Sequence, residues 1–550
     1  MTGMNQAREW MKLAEAVLHQ ADEMGSVWDW LSRTVMPRKH DVLRKLQRGA
    51  EAIREHSSVA CASLLTLVSA HNSLVTPHNQ RWFSFKAAEA KKGEHYERWF
   101  MNATEVTARE LAKSNFYSAK QEVDLDRGLF GTGCLYCEDK PGGGVRFRHV
   151  PVGSFSFALN EAGEVDTVVR KFEFTAAQAV ERWGYGKLPD KVQEAWDRLE
   201  RRYDERFEFV HLVTPRKGYS PGNKDRDLNV RQMRYASVYM YNGGDKQIVE
   251  EGGYQELPYM VTRFLSWGES TVWGYPPALN CIEELRGQVK VENTLDLLAD
   301  LSVFPRIFQD AEQVGDIDFR PGGRTVVDRE VNHLGLPREW GSQGRYDVGV
   351  ERIRMAEERI RMAFYVPFLQ PITHLEPGVT ATEINARQEE QALSFSSTFA
   401  RYVADLNAMM GRVFACLWRQ GKFEKPDTKC PAEYAVPNVN DGQLLRVPEV
   451  AYHGKLAQTI ERAQAQSLDY TVQQAANYGK LDPQALDYID LGRAVRHQFV
   501  AQGAPSEVFR TEEEVEQLRM QRQQEAMIQQ QLAAAQGMNQ EAQAYRNMRQ

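Results

Sequence analysis

Two cysteines three positions apart, Cys134 and Cys137, are the first residues whose spacing could do chemistry. A CxxC pair can hold half of a zinc site or run dithiol redox chemistry. The chain has six cysteines, and the other four (Cys61, Cys281, Cys416 and Cys430) supply no second pair at a suitable spacing. Leu135 and Tyr136 between the two are apolar, which reads as a strand in a reduced, cytosolic protein. The acidic pairs Asp124/Asp126 and Asp316/Asp318 could in principle bind a metal, and the plainer expectation for them is a solvated strand or turn. No GxxxxGK[ST] phosphate loop occurs; Gly142-Gly143-Gly144 lacks the lysine and the helix that would follow. GxSxG and HExxH motifs are absent too. These residues predict no catalytic group, no metal and no cofactor.

A third pattern is basic. Glu351-Arg352-Ile353-Arg354-Met355 is repeated seven residues later as Glu358-Arg359-Ile360-Arg361-Met362. Seven residues are close to two helical turns, so each pair shares a face. Arg352/Arg359 and Arg354/Arg361 form two lines flanking Ile353/Ile360. Such lines serve as ion pairs between neighbouring subunits or as transient, sequence-independent contacts to phosphate. The next segment is punctuated by Pro367, Pro371 and Pro377, with apolar Phe368, Leu369, Ile372 and Leu375 and a lone His374.

Elements must position these residues. The 550-residue chain is 42% hydrophobic and 26% charged, an ordinary globular composition long enough for several domains. A net charge of -7 argues against a protein that coats DNA, yet not against one that lets a duplex slide past. No apolar run of membrane-spanning length is evident, and the N-terminal stretch lacks a signal-peptide core. Residues 1–90 read as mainly helical, with Trp10, Leu13, Ala14, Val17 and Leu18 on one apolar face and a second helix over 57–73. A third helix covers about 93–114. From about 123 to 266 the pattern alternates at period two, as in Val145–Val150, 167–174, 207–213 and 237–241, with helical inserts near 175–183 and 189–202. Pro276-Pro277 opens a long helix. A small β segment follows over 306–345, then a helix over about 347–364. Thr380-Ala381-Thr382-Glu383 is a capping box that starts a helix to about 419. Two long helices with a small module between their far ends make a stalk with a tip, short of core unless identical neighbours cover it.

The order and spacing of four stretches resemble the head-to-tail connector (portal) family of short-tailed, double-stranded-DNA phages. They are 57–83, with Leu74-Val75-Thr76-Pro77 and Arg81-Trp82-Phe83; Ser114-Asn115-Phe116-Tyr117 with Asp124-Leu125, Gly128 and Gly131-Thr132-Gly133-Cys134-Leu135; Trp273-Gly274-Tyr275-Pro276-Pro277-Ala278; and Thr380-Ala381-Thr382-Glu383-Ile384 with Arg387 and Glu389-Glu390. The resemblance implies an α+β subunit. Its parts would be an N-terminal helical part of a wing (1–122), a β-rich wing (123–275), a stem helix (276–305), a β clip (306–345), a second stem helix (346–364), a tunnel loop (365–378), a long helix (379–422), a crown (423–510) and a Gln-rich tail or barrel (511–550). It implies a dodecameric ring at one capsid vertex, made in the host cytoplasm. Double-stranded DNA would pass without sequence specificity in packaging and ejection. Terminase, tail adaptor, major capsid and scaffolding proteins would be its partners. Channel-facing residues would include Arg352, Arg354, Arg359, Arg361, Phe368, Leu369 and His374. Asp316, Asp318, Arg320 and Arg324 would dock partners at the clip. Two rival readings remain at this stage, an internal scaffolding or head protein and an oligomeric enzyme with an unrecognised site.

Overall fold

The computed structural model describes residues 2–42, 56–86, 94–140, 142–217, 233–244, 246–268, 271–304, 306–311, 318, 320, 323–328, 338–340, 346–369, 381–423, 448–452, 472–474 and 517–528. The chain divides into two units, residues 1–90 with 99–454 and residues 91–98 with 455–550. In the second unit the described residues (94–98, 472–474 and 517–528) are helical.

The first unit is built in chain order from helices α1 (Thr2–Asp22), α2 (Gly25–Thr34) and α3 (Ser58–Val75), strand β1 (Phe83–Lys86), then α4 (Glu94–Lys113), which begins in the second unit, and α5 (Phe116–Phe130). Strands β2 (Thr132–Asp139), β3 (Val145–Val150), β4 (Phe155–Leu159) and β5 (Val165–Thr175) follow, then α6 (Ala176–Trp183) and α7 (Asp190–Asp197). Next come β6 (Arg206–Pro215), β7 (Tyr235–Tyr241), β8 (Gln247–Tyr254), β9 (Tyr259–Arg263), β10 (Leu265–Ser266) and β11 (Gly274–Tyr275). Helix α8 (Ile282–Val303), strands β12 (Arg306–Ala311), β13 (Arg324–Asp328) and β14 (Arg338–Trp340), helices α9 (Tyr346–Ala363), α10 (Val366–Leu369) and α11 (Ala381–Arg419), and strand β15 (Glu449–Tyr452) complete the described elements. Helices and strands alternate without a dominant parallel sheet, which makes the fold α+β.

Strands β4 to β8 form an antiparallel meander in sequence order. Alternation explains how it is covered. On β6, Phe207 and Phe209 face α6 and α7, where Trp183, Leu188 and Val192 close the layer. Val210 and Leu212 face the other way, onto Met11, Ala14 and Val17 of α1. A second sheet of order β3-β2-β9 joins a larger core with α2, α3, α5 and the bases of α8 and α9. Trp28 and Trp273 meet edge to face at 4.6 Å in its centre. The parallel pair β12-β13 and the antiparallel pair β12-β14 make the small module between α8 and α9.

Three expectations need correction. Residues 116–130 form a helix, although the β pattern was expected to begin near 123; the charged residues that break its apolar face are buried in pairs rather than solvated. On α1, Met11 is buried and Leu13 is 40% exposed, so the apolar face is rotated from the expected one. The segment after α9 opens with the short helix α10 rather than an irregular loop, since Pro367 sits in its first turn, where no backbone donor is required. Helix α3 is apolar and long enough to cross a membrane by length and composition alone. It lies in the core instead, capped by the Ser57 hydroxyl, which accepts from the Ala60 amide at 3.2 Å.

The β3-β2-β9 sheet and the β10–β11 pair meet at Gly131 and Gly274. Gly131 ends α5 in a left-handed conformation (φ 82°) and accepts from the Phe264 amide at 2.8 Å. A Cβ on Gly274 would sit inside the Gly131 carbonyl. Backbone cannot swing aside as a side-chain tip can, so Gly274→Ala is expected to lower stability by roughly 2–3 kcal/mol. Thermal unfolding of the variant checks this; a melting temperature equal to the parent's would contradict the close approach.

Candidate nucleic-acid interface

The proline pair does start the stalk: Pro276 and Pro277 lead a 3-10 turn over Pro277–Cys281 that runs into α8. Helix α9 returns alongside it so closely that a Cβ on Gly349 would approach Leu295 to 2.6 Å. Burial is confined to one end. Leu285, Gln288 and Leu295 of α8 and Ile360 of α9 are buried. Gln288 accepts from the Ser57 hydroxyl at 2.8 Å, which ties α8 to the start of α3. Toward the β12–β14 module the apolar side chains are open: Val303 is 68% exposed, Phe304 60%, Tyr346 53% and Val348 52%.

The repeated sequence on α9 sorts as its period demands. Ile360 is buried and Ile353 half-buried, whereas Arg352, Arg354, Arg359 and Arg361 are all exposed. Met355 and Met362 are exposed as well. Arg359 reaches Glu284 of α8 at 3.3 Å, and Arg361 reaches Glu357 one turn earlier at 3.1 Å. Among the described residues, Arg352 and Arg354 have no ion-pair partner. Four guanidinium groups thus point away from the core of their own subunit. Phe368 is exposed and Leu369 half-buried on α10, after a turn in which Tyr365 adopts φ 59°. A bulky residue is strained there, and Tyr365 is held beside the Phe264 ring. His374 lies outside the described residues. Between β12 and β13, half-buried Asp318 is paired with exposed Arg320 at 3.0 Å, Arg324 opens β13, and Asp316 lies outside the described residues.

The aspartates of α5 overturn another expectation. Asp124 and Asp126 are buried in a helix, not solvated in a strand or turn, and their partners are cationic side chains. Lys120, one turn before Asp124, donates to it at 2.5 Å and to Asn72 of α3 at 2.8 Å. His71 of α3 places Nδ1 3.5 Å from the same carboxylate. Arg127 approaches His71 Nε2 at 3.4 Å and stacks over the Tyr402 ring of α11. A guanidinium can only donate, so Nε2 accepts and the proton of the neutral imidazole sits on Nδ1, facing Asp124. Asp126 is held by Lys39 at 2.9 Å and by His149 of β3 at 2.6 Å. A further buried guanidinium, Arg412 of α11, pairs with Glu256 at 2.9 Å, and Arg419 shares that carboxylate. Sequence reasoning missed Lys120, Arg127, His71, Tyr402, Arg412 and Glu256. The signal available was the four-residue spacing of Lys120 and Asp124 on a helix. Cys134 and Cys137, by contrast, point to opposite faces of β2. Burial raises the Cys134 thiol, and no group of three or more potential metal ligands exists among the described residues.

Comparison with known proteins follows the same lines. The family model described as bacteriophage head to tail connecting protein matches residues 7–509, and the chain belongs to that family. It is 24% identical over 429 residues to the portal protein of Salmonella phage epsilon15, covering 77% of this chain and 74% of that one. It is 23% identical over 481 residues to the probable portal protein of Bordetella phage BPP-1, covering 85% and 82%. A chain from the neck of a native gene transfer agent particle, solved with C12 symmetry, matches with a TM-score of 0.35 at 10% identity, over 82% of this chain and 90% of that one. Likeness of that size carries no argument about the fold.

Burial drives the His71 imidazole down to about 4 despite the raising effect of Asp124. In the unfolded chain it takes its proton near the ordinary value of about 6.5. Its folded value is the lower one, so its contribution is present above about 6.5 and is lost as pH falls through 4. His71→Gln is therefore expected to lose less melting temperature than the parent between pH 7 and pH 4. A parallel loss in both proteins would contradict the neutral, buried histidine. Asp124→Asn leaves Lys120 buried beside a neutral amide and is expected to destabilise by about 3–5 kcal/mol at pH 7. Denaturant unfolding measures it.

Proposed function

We propose that this chain is the portal subunit of a phage, assembling as a dodecameric ring at one capsid vertex. The ring is the channel for genome packaging and ejection and the docking site for terminase and tail adaptor. It is structural rather than catalytic, is made in the host cytoplasm, and works beside major capsid and scaffolding proteins. Family membership supports the head-to-tail position. The observation that carries the ring is the α8–α9 hairpin, whose far half has apolar side chains that its own subunit leaves uncovered. Val303, Phe304, Tyr346, Val348 and Val350 there are each about half exposed or more, and Met355 and Met362 are open nearer the root. Covering such residues gains on the order of 1 kcal/mol apiece, and identical neighbours are the geometrically closed way to do it.

Within such a ring, Arg352 and Arg354, without an ion-pair partner among the described residues, are the side chains best suited to face a duplex, with Arg359 and Arg361 beside them. Contacts of this kind are sequence-independent and weaken with salt, as a sliding channel requires. Phe368, Leu369 and His374 belong to the narrowest part of the channel in this reading. Asp316, Asp318, Arg320 and Arg324 belong to the partner-docking tip.

End-on electron micrographs of the purified protein test the ring. Twelve-fold annular views are expected, and compact particles without a hole would overturn the proposal. Val348→Asp with Met355→Asp is expected to shift the protein from ring to monomer on a sizing column. Arg352→Glu with Arg354→Glu is expected to leave rings intact but reduce DNA packaged per head at least several-fold. Undiminished DNA filling in that variant would remove these arginines from the channel.

A further inference from the structure

One face of the β4–β8 meander is covered at one end by α6 and at the other by the β3-β2-β9 sheet. Phe172 and Phe209 pack under α6, while Val168 and Val213 of the same face belong to the main core. Between them Arg170 of β5, His211 of β6 and Tyr239 of β7 are paired in register, so they form one row across three strands. His211 and Tyr239 are satisfied there. The imidazole stacks on the Tyr239 ring at 3.9 Å and is hydrogen-bonded to Tyr259 at 2.6 Å and to Ser237 at 2.9 Å. The Tyr239 hydroxyl accepts from Arg182 of α6 at 2.9 Å. Arg170 has no ion-pair partner among the described residues, and its Nε is buried without a hydrogen bond.

Three more guanidinium groups meet at the edge of this seam. Arg146 and Arg148 of β3 lie directly across from Glu138 and Tyr136 of β2. Arg146, Arg148 and Arg182 place nitrogens 4.0, 3.7 and 3.6 Å from the Glu138 carboxylate. A charge-assisted hydrogen bond of this kind is about 2.7–2.9 Å long, so the three groups surround Glu138 without grasping it. Glu250, which lies across from Tyr239 on β8, accepts from the Trp183 indole instead. Four guanidinium groups against one carboxylate leave three positive charges uncompensated among the described residues. Burial, and then the charges of Arg170, Arg146 and Arg182, hold the Arg148 guanidinium below its ordinary value.

We propose that this seam is a binding site for a small tetrahedral oxyanion of the phosphate class. The ion sits at the mouth beside Glu138, where the Arg146 side chain is 55% exposed, Arg182 29% and Arg148 25%. Guanidinium forks donate paired N–H bonds to such oxygens, and Arg170 adds its charge from deeper in the seam. A doubly charged oxyanion leaves the cluster one charge from balance. Two of the three guanidinium side chains at the mouth are mostly covered, so a small free ion fits it better than the broad surface of a duplex or a folded protein. The bound ion joins α6, β3 and the meander, and a ligand held only by the folded chain stabilises it.

The full-length protein is titrated with sodium phosphate by calorimetry, in a buffer without other polyvalent anions and at an ionic strength held constant with sodium chloride. Saturable binding of one ion per chain is expected, with a melting temperature that rises until the site is filled. Arg146→Gln and Arg148→Gln are each expected to weaken binding at least several-fold. Glu138→Gln removes the competing carboxylate. Its melting temperature without phosphate is expected to fall below the parent's and to be restored by phosphate, which binds it several-fold more tightly. A purely structural cluster would give the same fall with no restoration beyond that of chloride, and this result would overturn the proposal. So would the absence of saturable heat, binding unchanged in the Arg146→Gln, Arg148→Gln double variant, or a response to a short DNA duplex with none to phosphate.

Discussion

Two carboxylates buried on one helix set the terms for the rest of the molecule. Asp124 and Asp126 of α5 are almost fully enclosed, and an unpaired charge there would destabilise the fold by several kcal/mol. Each has to be met by cations that arrive from elsewhere. Lys120 comes from α5 itself, His71 from α3, Lys39 from the turn after α2 and His149 from β3. Arg127 adds a second positive charge beside Asp124 and is roofed by Tyr402 of α11. Ion pairs of this kind are poor sources of net stability but strict about geometry. A shift of one helix relative to α5 would strand a charge, so the five elements have one compatible arrangement.

That strictness matters most where apolar burial runs out. The α8–α9 hairpin is anchored at one end by Leu285, Ile360 and the Ser57–Gln288 hydrogen bond, all close to α3. Farther along, its surface is uncovered in the single subunit. A projection of this sort needs a rigid root, since small rotations at the base grow with distance. The charged cluster lies behind that root, on the α3–α5 side. Its role is therefore positional: it holds the elements from which the exposed arginines are displayed.

How much was legible in the sequence follows from which interactions are local. Val145–Val150, the Pro276-Pro277 helix start and the heptad of α9 were readable because alternation, helix entry and a seven-residue period are near-neighbour properties. The family-like order of motifs was readable for the same reason. Helix α5 was not. Its Lys120, Asp124, Asp126 and Arg127 look like a solvated face in sequence, and only neighbours drawn from α3, β3 and α11 make them interior. Cys137 failed in the opposite direction. A short spacing offered a paired site with Cys134, and strand geometry puts the two side chains on opposite faces of β2. His374 and Asp316 lie outside the described residues.

Charge distribution would reconcile an acidic chain with the DNA-passing ring proposed for it. A net charge of -7 gives no general affinity for phosphate, and several basic groups are engaged inside the fold. Lys39, Lys120, Arg127 and Arg412 are each spent on internal carboxylates. Those of α9 differ, because Ile353 and Ile360 turn the helix so that the flanking arginines must point outward. In a ring of identical subunits each such line recurs at every repeat. Weak individual contacts then add to a guiding surface without any one of them holding the duplex. A uniformly basic wall would bind DNA too tightly to release it, and an acidic wall alone would not centre it. A line of exposed arginines on a net-acidic subunit would lie between those limits.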